Sequence, residues 1–255
     1  MKSGNRTGFW GLGVVIVVLA FAGCGDDGGG TAQFKGLCLD FESKAPVPGC
    51  RVLALDNDTG EPMPGQEAIA GGDGVVLFDD LPPDTLVGFL AVGVRGESED
   101  TYSFNFFSYE QDKKVYLVSY NTVVASMALA EVEWDREKGV AAGSVLWFEG
   151  KIEGPGKEIG CATVKTDPLS GDERYFNDAG LPVPLAARNT TNPNNAYYLF
   201  ANIDPGPVTV VAYIGTTEIG RTTFLSVADS ISISDVAVNP DNSGLTANPQ
   251  PAGCQ

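Results

Sequence analysis

Short apolar stretches rich in β-branched and aromatic residues alternate along most of the chain with glycine, proline, asparagine and aspartate. Stretches of this kind, bounded by turn-forming residues, are typical of β-strands joined by tight turns. The strands predicted in the first half are 34–41, 50–55, 74–78, 86–94, 101–107, 114–120 and 123–134. Those predicted in the second half are 143–148, 161–166, 196–202, 208–214, 221–227 and 230–234. The pattern therefore predicts an all-β protein.

One segment near the middle of the chain, MALAEVEWDREKG at 127–139, offers a helix as the alternative to a strand. It shows no clear N-cap residue and no sustained apolar period of about 3.6 residues. We therefore assign 123–134 to a strand.

The two halves of the chain resemble each other and form an internal repeat. The segment VVLFDDLPPDTLVGFLAVG at 75–93 aligns with YYLFANIDPGPVTVVAYIG at 197–215. The aligned pairs include Phe78 with Phe200, Leu81 with Ile203 and Cys50 with Cys161. The second copy is longer between its cysteine and its phenylalanine, and the extra residues fall in the polar stretch 172–196. The repeat predicts two domains of the same fold.

The first copy carries the pattern P-x-P-G-x-x-V at 46–52, followed by D-G-x-x-x-F-x-x-L-P at 73–82. This pattern resembles carboxypeptidase-regulatory-like domains, and the resemblance implies transthyretin-like or Ig-like β-sandwiches of about seven strands. The Asp-Gly pair suits a tight hairpin turn, and the inward Phe and Leu suit a core between two sheets. In the second copy Asn195-Ala196 replaces the Asp-Gly pair. We therefore predict two tandem seven-stranded antiparallel β-sandwiches.

The start of the chain is predicted to direct export. A basic segment with Lys2 and Arg6 precedes the apolar run FWGLGVVIVVLAFA at 9–22, the order found in secretory signal peptides. The run is short for a helix that crosses a bilayer of about 30 Å. We therefore favour a cleaved leader over a membrane-spanning helix.

The leader ends in FAGC at 21–24, which resembles the lipobox of bacterial lipoproteins. The resemblance implies that the Cys24 sulfur carries diacyl lipid, with palmitate as a typical chain, and that Cys24 becomes the mature amino terminus. It also implies the outer membrane of a Gram-negative bacterium, because Gly25 and not aspartate follows the cysteine. The alternative is cleavage after AFA at 20–22, which would release a soluble protein that begins at Gly23.

These patterns divide the chain into predicted segments. They are a signal peptide at 1–23, the acylated cysteine with a flexible tether at 24–34, β-sandwich domains at 35–138 and 139–238, and an irregular C-terminal tail at 239–255. The tether is predicted from its composition, because GDDGGGTAQ offers no apolar surface to bury.

The chain has five cysteines, so in an exported protein at least one of them cannot pair in an intramolecular disulfide. If Cys24 carries the lipid, Cys38, Cys50, Cys161 and Cys254 remain, an even set for an oxidising compartment. Four cysteines allow three pairings. We predict a disulfide between Cys38 and Cys50 across a turn-like segment. We predict another between Cys161 and Cys254, which would fix the tail to the second domain.

The composition excludes several classes of function. The chain contains no histidine, so pairs of a nucleophilic serine or cysteine with histidine, and imidazole zinc sites, are excluded. Its net charge of −17 repels phosphate backbones, so we predict no nucleic-acid partner. Paired acids such as Glu131 and Glu133 fit an exposed strand face, and we predict no enzyme activity and no cofactor.

The remaining candidate residues are acids and aromatics. Asp56 and Asp58 in DNDTGE are spaced like the start of a calcium loop, but its later ligands are missing. We interpret these residues as an Asx-type turn and predict no metal. Trp147, Tyr197 and Tyr198 are candidates to stack on a sugar or a peptide. Since adjacent strand residues point to opposite faces, at least one of the two tyrosines is expected to face outward.

These features predict a non-enzymatic cell-envelope lipoprotein that serves as a structural spacer or a protein-interaction module. Its predicted partners are the membrane, through the lipid anchor, and envelope proteins or glycans. The alternative is a lipoprotein that binds carbohydrate or peptide through exposed aromatics and the insertion of the second domain.

Overall fold

The computed structural model describes residues 31–150, 152 and 156–254, and they form an almost entirely β protein, as the sequence predicts. The predicted signal peptide, Cys24 and most of the tether lie outside these residues. Among the described residues, no helix is both long and apolar enough to cross a membrane.

The elements of the first half are β1 Ala32–Asp40, β2 Arg51–Asp56, β3 Pro62–Ile69, β4 Val75–Leu81, β5 Leu86–Ala91, β6 Ser98–Glu99, β7 Thr101–Phe107, β8 Lys113–Ser119 and α1 Tyr120–Leu129. Those of the second half are β9 Gly139–Trp147, β10 Lys157–Glu158, β11 Thr163–Asp167, β12 Asp172–Phe176, β13 Pro182–Val183, β14 Tyr197–Ile203, β15 Gly206–Ile214, β16 Thr217–Ser226, β17 Ile231–Ile233, β18 Val236–Val238 and α2 Pro240–Ser243. The strands that the sequence pattern did not predict are β3, β6, β10, β12, β13 and β18.

The first half is a sandwich whose layers are ordered β4-β1-β8-β6 and β3-β2-β5-β7. Phenylalanines fill the space between the layers. The ring centroid of Phe89 lies 4.2 Å from that of Phe34, 5.3 Å from that of Phe78 and 5.5 Å from that of Phe106. The sequence analysis predicted a purely antiparallel sandwich, but β1 and β8 run parallel.

The second half repeats the arrangement of the first. β9 pairs antiparallel with β14, as β1 pairs with β4. The order β11-β15-β16 reproduces the order β2-β5-β7. β17 and β18 run parallel to β9, as β8 runs parallel to β1. The insertion at 172–196 contains β12 and β13, which extend the sheet beyond β14.

A β-bulge occupies the same position in both halves. The pairs around it are Phe34 with Phe78 and Ala32 with Leu81 in the first half, and Ala141 with Phe200 and Gly139 with Ile203 in the second. β4 in the first half and β14 in the second each place two residues opposite one residue of the partner strand. The register therefore confirms the sequence alignment of Phe78 with Phe200 and of Leu81 with Ile203.

One sheet continues from the first half into the second, a feature that the sequence did not predict. β17 lies between β7 and β9 and is parallel to both, with Ile231 paired to Thr101 and to Val140. The path β13-β12-β14-β9-β17-β7-β5-β2-β3 is therefore unbroken. Backbone pairing, and not only side-chain packing, joins the two halves.

Side chains of the second half also cover the outer face of the first. Asn105 on β7 donates hydrogen bonds to Thr222 Oγ1 and to the Thr223 carbonyl on β16, each at 3.1 Å. Leu225 packs against the apolar cluster that contains Leu90 of the first half. The core of the second half thus extends across the junction.

Helix α1 covers the opposite face of the sheet, and it corrects the strand predicted at 123–134. Ser119 caps the helix by accepting a hydrogen bond of 3.0 Å from the Thr122 amide. The pattern placed Ser119 inside the preceding strand, so the cap was not recognised. Val123 and Met127, four residues apart on one helix face, are buried against the sheet.

The linker that follows α1 is fastened to the second half. The Arg174 side chain donates a hydrogen bond of 2.8 Å to the Ala130 carbonyl at the helix end. Asn202, a bulge residue of β14, donates to the Glu133 carbonyl at 3.0 Å and accepts from the Asp135 amide at 2.9 Å. Because three backbone groups are held by side chains, the linker has a defined path.

Arg136 places a positive charge between carboxylates of the two halves. Its Nη1 lies 2.9 Å from Oε1 of Glu99, and its Nε pairs with Asp229. The guanidinium carbon also lies 4.0 Å from the ring centroid of Trp134. Because Glu99 is buried, Arg136 compensates a carboxylate that would otherwise lack a partner charge.

Candidate functional site

The two predicted disulfides are confirmed. Cys38 on β1 is bonded to Cys50 just before β2, with 6.4 Å between their Cα atoms. Cys161 is bonded to Cys254 across a sequence separation of 93, with 5.8 Å between their Cα atoms. One bridge therefore lies within the first sandwich, and the other ties the end of the chain to the second.

The tail that was predicted to be irregular contains a short capped helix. Asn239 and Asn242 exchange hydrogen bonds at the start of α2, the side chain of each accepting from the amide of the other. Further along, the Gln250 side chain accepts a hydrogen bond of 2.9 Å from the Gly160 amide. A Cβ at Gly160 would lie 2.8 Å from Cys254 Sγ, so the close approach of the tail requires glycine there.

Asp56 and Asp58 form the predicted turn. Asp56 Oδ1 accepts hydrogen bonds from the amides of Asp58 at 3.1 Å and Thr59 at 2.8 Å, and from the Thr59 hydroxyl at 2.9 Å. The bonds from Thr59 are the main cause that lowers the pKa of Asp56 below its usual value. Within the described part of the chain, no group of three or more Cys, Asp or Glu residues is arranged to hold a metal ion.

Two of the three candidate aromatics are core residues, which corrects their assignment to a binding surface. Trp147 is 3% exposed and Tyr198 is fully buried. Burial raises the pKa of the Tyr198 hydroxyl well above its usual value, and this hydroxyl donates a hydrogen bond to the Ser234 carbonyl. Rings enclosed in this way have no free face on which a ligand could stack.

Tyr197 is the candidate aromatic that faces outward, as the alternation of strand side chains predicts. It is 40% exposed, and its ring meets that of Phe176 edge to face at 5.5 Å. Across the junction, Tyr116 of β8 meets Phe41 at 5.5 Å in the same manner. We call Phe41, Tyr116, Phe176 and Tyr197 the junction aromatic surface.

The two aromatic pairs border the same buried cluster, because Phe41 and Phe176 both pack against the group that contains Val118 and Leu199. Partial burial is the largest cause that raises the pKa of the Tyr116 hydroxyl, and the Asp235 carboxylate and Tyr197 add to the shift. Asp235 and Tyr197 belong to the second half, whereas Tyr116 belongs to the first. The surface is therefore assembled from both halves.

Polar groups border the junction aromatic surface. The Lys44 ammonium lies 4.2 Å from the ring centroid of Phe41 and 4.7 Å from that of Tyr116. The Asp235 carboxylate accepts a hydrogen bond of 2.7 Å from the amide of Ser144, the residue that is paired with Tyr197. The arrangement offers ring faces, one cation and one carboxylate, which suits binding by stacking and hydrogen bonding.

Sequence reasoning identified one of the four aromatics of this surface. Tyr197 was recognised from its place beside Tyr198, but Phe41 and Tyr116 lie in segments whose pattern only indicated strands. Phe176 lies in the polar insertion at 172–196, where the sequence pattern predicts no strand up to residue 195 and no binding residue. No local signal could pair residues that are 80 or more positions apart, such as Tyr116 and Tyr197.

Comparisons with known proteins give no family. No protein-family model matches the sequence, and no curated protein matches it significantly. Among solved structures, the minor pilin GBS52 of Streptococcus agalactiae is similar over 82% of this chain and 96% of its own, with 10% identity and a TM-score of 0.26. The shaft pilin SpaA of Lactobacillus rhamnosus GG is similar over 84% of this chain and 99% of its own, with 10% identity and a TM-score of 0.25. Similarities this weak assign neither family nor function.

Proposed function

We propose that the protein is a non-enzymatic cell-envelope lipoprotein that acts as a structural spacer or a protein-interaction module, and of these two roles the structure favours the spacer. The observation that carries the proposal is the sheet that continues through β17 from the first half to the second. A spacer must keep its ends at a fixed separation, and strand pairing across the junction provides that constraint where a peptide linker would not. Helix α1 and Arg136 add contacts at the same place.

Export and lipid anchoring are part of this proposal. The disulfides Cys38–Cys50 and Cys161–Cys254 support an oxidising compartment outside the cytosol. The lipobox-like FAGC at 21–24 supports acylation of Cys24, and the cysteine count supports it too, because every other cysteine is bonded. The outer membrane is proposed as the location on account of Gly25 after the cysteine.

Labelling of the full chain in its native host tests the anchor. We expect radioactive palmitate to be incorporated into the parent and not into a Cys24→Ser variant, and the parent to partition with membranes. Mass analysis of the mature amino terminus is the second measurement, since the variant could also block processing. An unlabelled parent that begins at Gly23 would disprove the lipoprotein assignment.

A second candidate function is the binding of carbohydrate or peptide at the junction aromatic surface. The exposed ring of Tyr197 beside Phe176, with Asp235 and Lys44 at the borders, favours it. Of these two ligand classes we propose carbohydrate, because ring faces flanked by hydrogen-bonding groups match the apolar faces and hydroxyls of a sugar.

The expected result is binding to specific glycans on an array that falls at least tenfold in Tyr197→Ala. Tyr109→Ala provides the matched control, because Tyr109 is 52% exposed and lies in the β7–β8 turn of the first half. Both residues are surface tyrosines, so a general loss of stability should be small for both. Equal binding by Tyr197→Ala and the parent would contradict the carbohydrate site.

A further inference from the structure

A second group of exposed apolar side chains lies at one end of the first sandwich. Leu86 is 42% exposed, Phe107 is 39% exposed and Tyr109 is 52% exposed. The rings of Phe107 and Tyr109 stack at 5.4 Å between centroids with 18° between their planes. We call Leu86, Phe107 and Tyr109 the end patch.

The end patch is held in place by the turns that carry it. Leu86 on β5 is paired with Phe107 on β7. The Ser108 amide donates to the Thr85 carbonyl at 3.0 Å, and the Glu110 side chain accepts from the Phe107 amide at 2.9 Å. The exposed rings are thus presented by hydrogen-bonded backbone, so ordering them on a partner costs little entropy.

The end patch lies next to the beginning of β1. The Lys35 amide donates to the Glu110 carbonyl at 3.1 Å, and the Gln111 side chain donates to the Gln33 carbonyl at 2.8 Å. Tyr109 directly precedes Glu110 and Gln111, the two residues that are hydrogen-bonded to the first residues of β1. Whatever restrains the chain before Ala32 also restrains the end patch.

The distance from Ala32 to Cys24 limits where an anchored protein can sit. The two residues are eight positions apart in the sequence. Even a fully extended chain spans at most about 3.6 Å per residue, so Ala32 lies within roughly 29 Å of a lipid attached at Cys24. This reach is about the diameter of a small domain, so it limits how far the end of the sandwich that carries Ala32 can move from the bilayer.

We infer that the end patch rests on the surface of the membrane that holds the anchor, with its two rings at the boundary between headgroups and acyl chains. This inference depends on the proposed acylation of Cys24. The amphipathic ring of Tyr109 favours that boundary, and the apolar ring of Phe107 is stacked on it. The second contact would add to the lipid anchor and orient the sheet that joins the two halves.

The charged side chains near the end patch indicate whether it contacts anionic or zwitterionic lipid. Lys35 pairs with Asp112 at 2.9 Å and Lys113 pairs with Glu110 at 2.6 Å, so these two cations near the patch are already paired with acids. Because their charges are compensated, these two lysines add little attraction to anionic lipid. We therefore assign it to a zwitterionic lipid surface.

Depth-dependent quenching tests the inference on the acylated full chain in vesicles of phosphatidylcholine and phosphatidylethanolamine. Tyr109→Trp places a fluorophore in the end patch. Ile69→Trp is the matched control, because Ile69 is 67% exposed and pairs with Arg51 at the opposite end of the sandwich. After subtraction of the parent signal, brominated lipid should reduce the emission of Tyr109→Trp at least twofold and leave that of Ile69→Trp unchanged.

The outcomes separate failure of the contact from failure of the anchor. Palmitate incorporation with no quenching of Tyr109→Trp would overturn the membrane contact and leave the anchor in place. If palmitate is not incorporated, both variants are coupled through the Cys24 thiol to a maleimide lipid, and the same difference in quenching is expected. A glycan-array signal that disappears in Tyr109→Ala, with no quenching by lipid, would assign the end patch to glycans and overturn the inference.

Discussion

Replacement of Gly143 by alanine should lower the free energy of unfolding by about 4 kcal/mol. Gly143 lies on β9 opposite Tyr198 of β14. A Cβ at this position would lie 2.0 Å from the Ser234 carbonyl oxygen and 2.7 Å from the Tyr198 hydroxyl. These are the acceptor and the donor of one buried hydrogen bond. Overpacking costs about 1–3 kcal/mol, and a buried polar group left unpaired costs a similar amount.

The effect should be concentrated at the junction between the two halves. Ser234 directly follows β17, the strand that joins β7 to β9, and its amide donates to the Ala142 carbonyl at 3.0 Å. Moving the Ser234 backbone away from an added methyl group therefore pulls on the end of β17. The spacer proposal depends on this strand, so Gly143→Ala should weaken the junction on which that proposal rests.

Guanidinium unfolding of the parent, Gly143→Ala and Gly72→Ala measures the difference. Gly72 is the control, because a Cβ there meets no atom within 4 Å and its backbone does not adopt the left-handed conformation. We expect Gly72→Ala to unfold within about 0.5 kcal/mol of the parent. If Gly143→Ala unfolded at the parent's denaturant concentration, the close contact between β9 and the end of β17 would be refuted.

Local sequence patterns predicted the features of the fold that depend on neighbouring residues. Alternating apolar residues located most strands, and the order of Tyr197 and Tyr198 on one strand predicted that one faces outward. The internal repeat placed Phe78 and Phe200 at equivalent bulges. The disulfide partners also followed, since the Cys38–Cys50 loop is short and two cysteines then remained.

Features that depend on residues far apart could not be read in this way. β17 is three residues long, and nothing in those residues indicates that its partners are Thr101 and Val140. The junction aromatic surface has the same origin, because this pairing is what brings the strands of Tyr116 and Tyr197 together.

β3 was not predicted for a different reason. It contains Pro62, Pro64 and Gly65, which indicate a turn, and it tolerates them because it is an edge strand.

Removal of the Cys161–Cys254 disulfide should destabilise the protein more than removal of Cys38–Cys50. The two bridges span sequence separations of 93 and 12. In the chain-entropy model a bridge that closes a loop of about 100 residues stabilises by about 4.7 kcal/mol, and one that closes about 15 residues by about 3 kcal/mol. Removal of Cys161–Cys254 also weakens native contacts of the tail. The difference in stability between the two variants should therefore exceed the difference that chain entropy alone predicts.

The contacts of the tail make this prediction specific to the second half. Without the bridge, the Gln250 bond to the Gly160 amide and the tight packing of Cys254 against Gly160 are no longer held by a covalent link. The double variants Cys161→Ala/Cys254→Ala and Cys38→Ala/Cys50→Ala are compared by guanidinium unfolding in a Cys24→Ser background, which removes the remaining thiol. A larger loss in the 38/50 variant would contradict the order. An unchanged stability of the 161/254 variant would mean that the tail contributes nothing to the second sandwich, and its capped helix would then have no anchoring role.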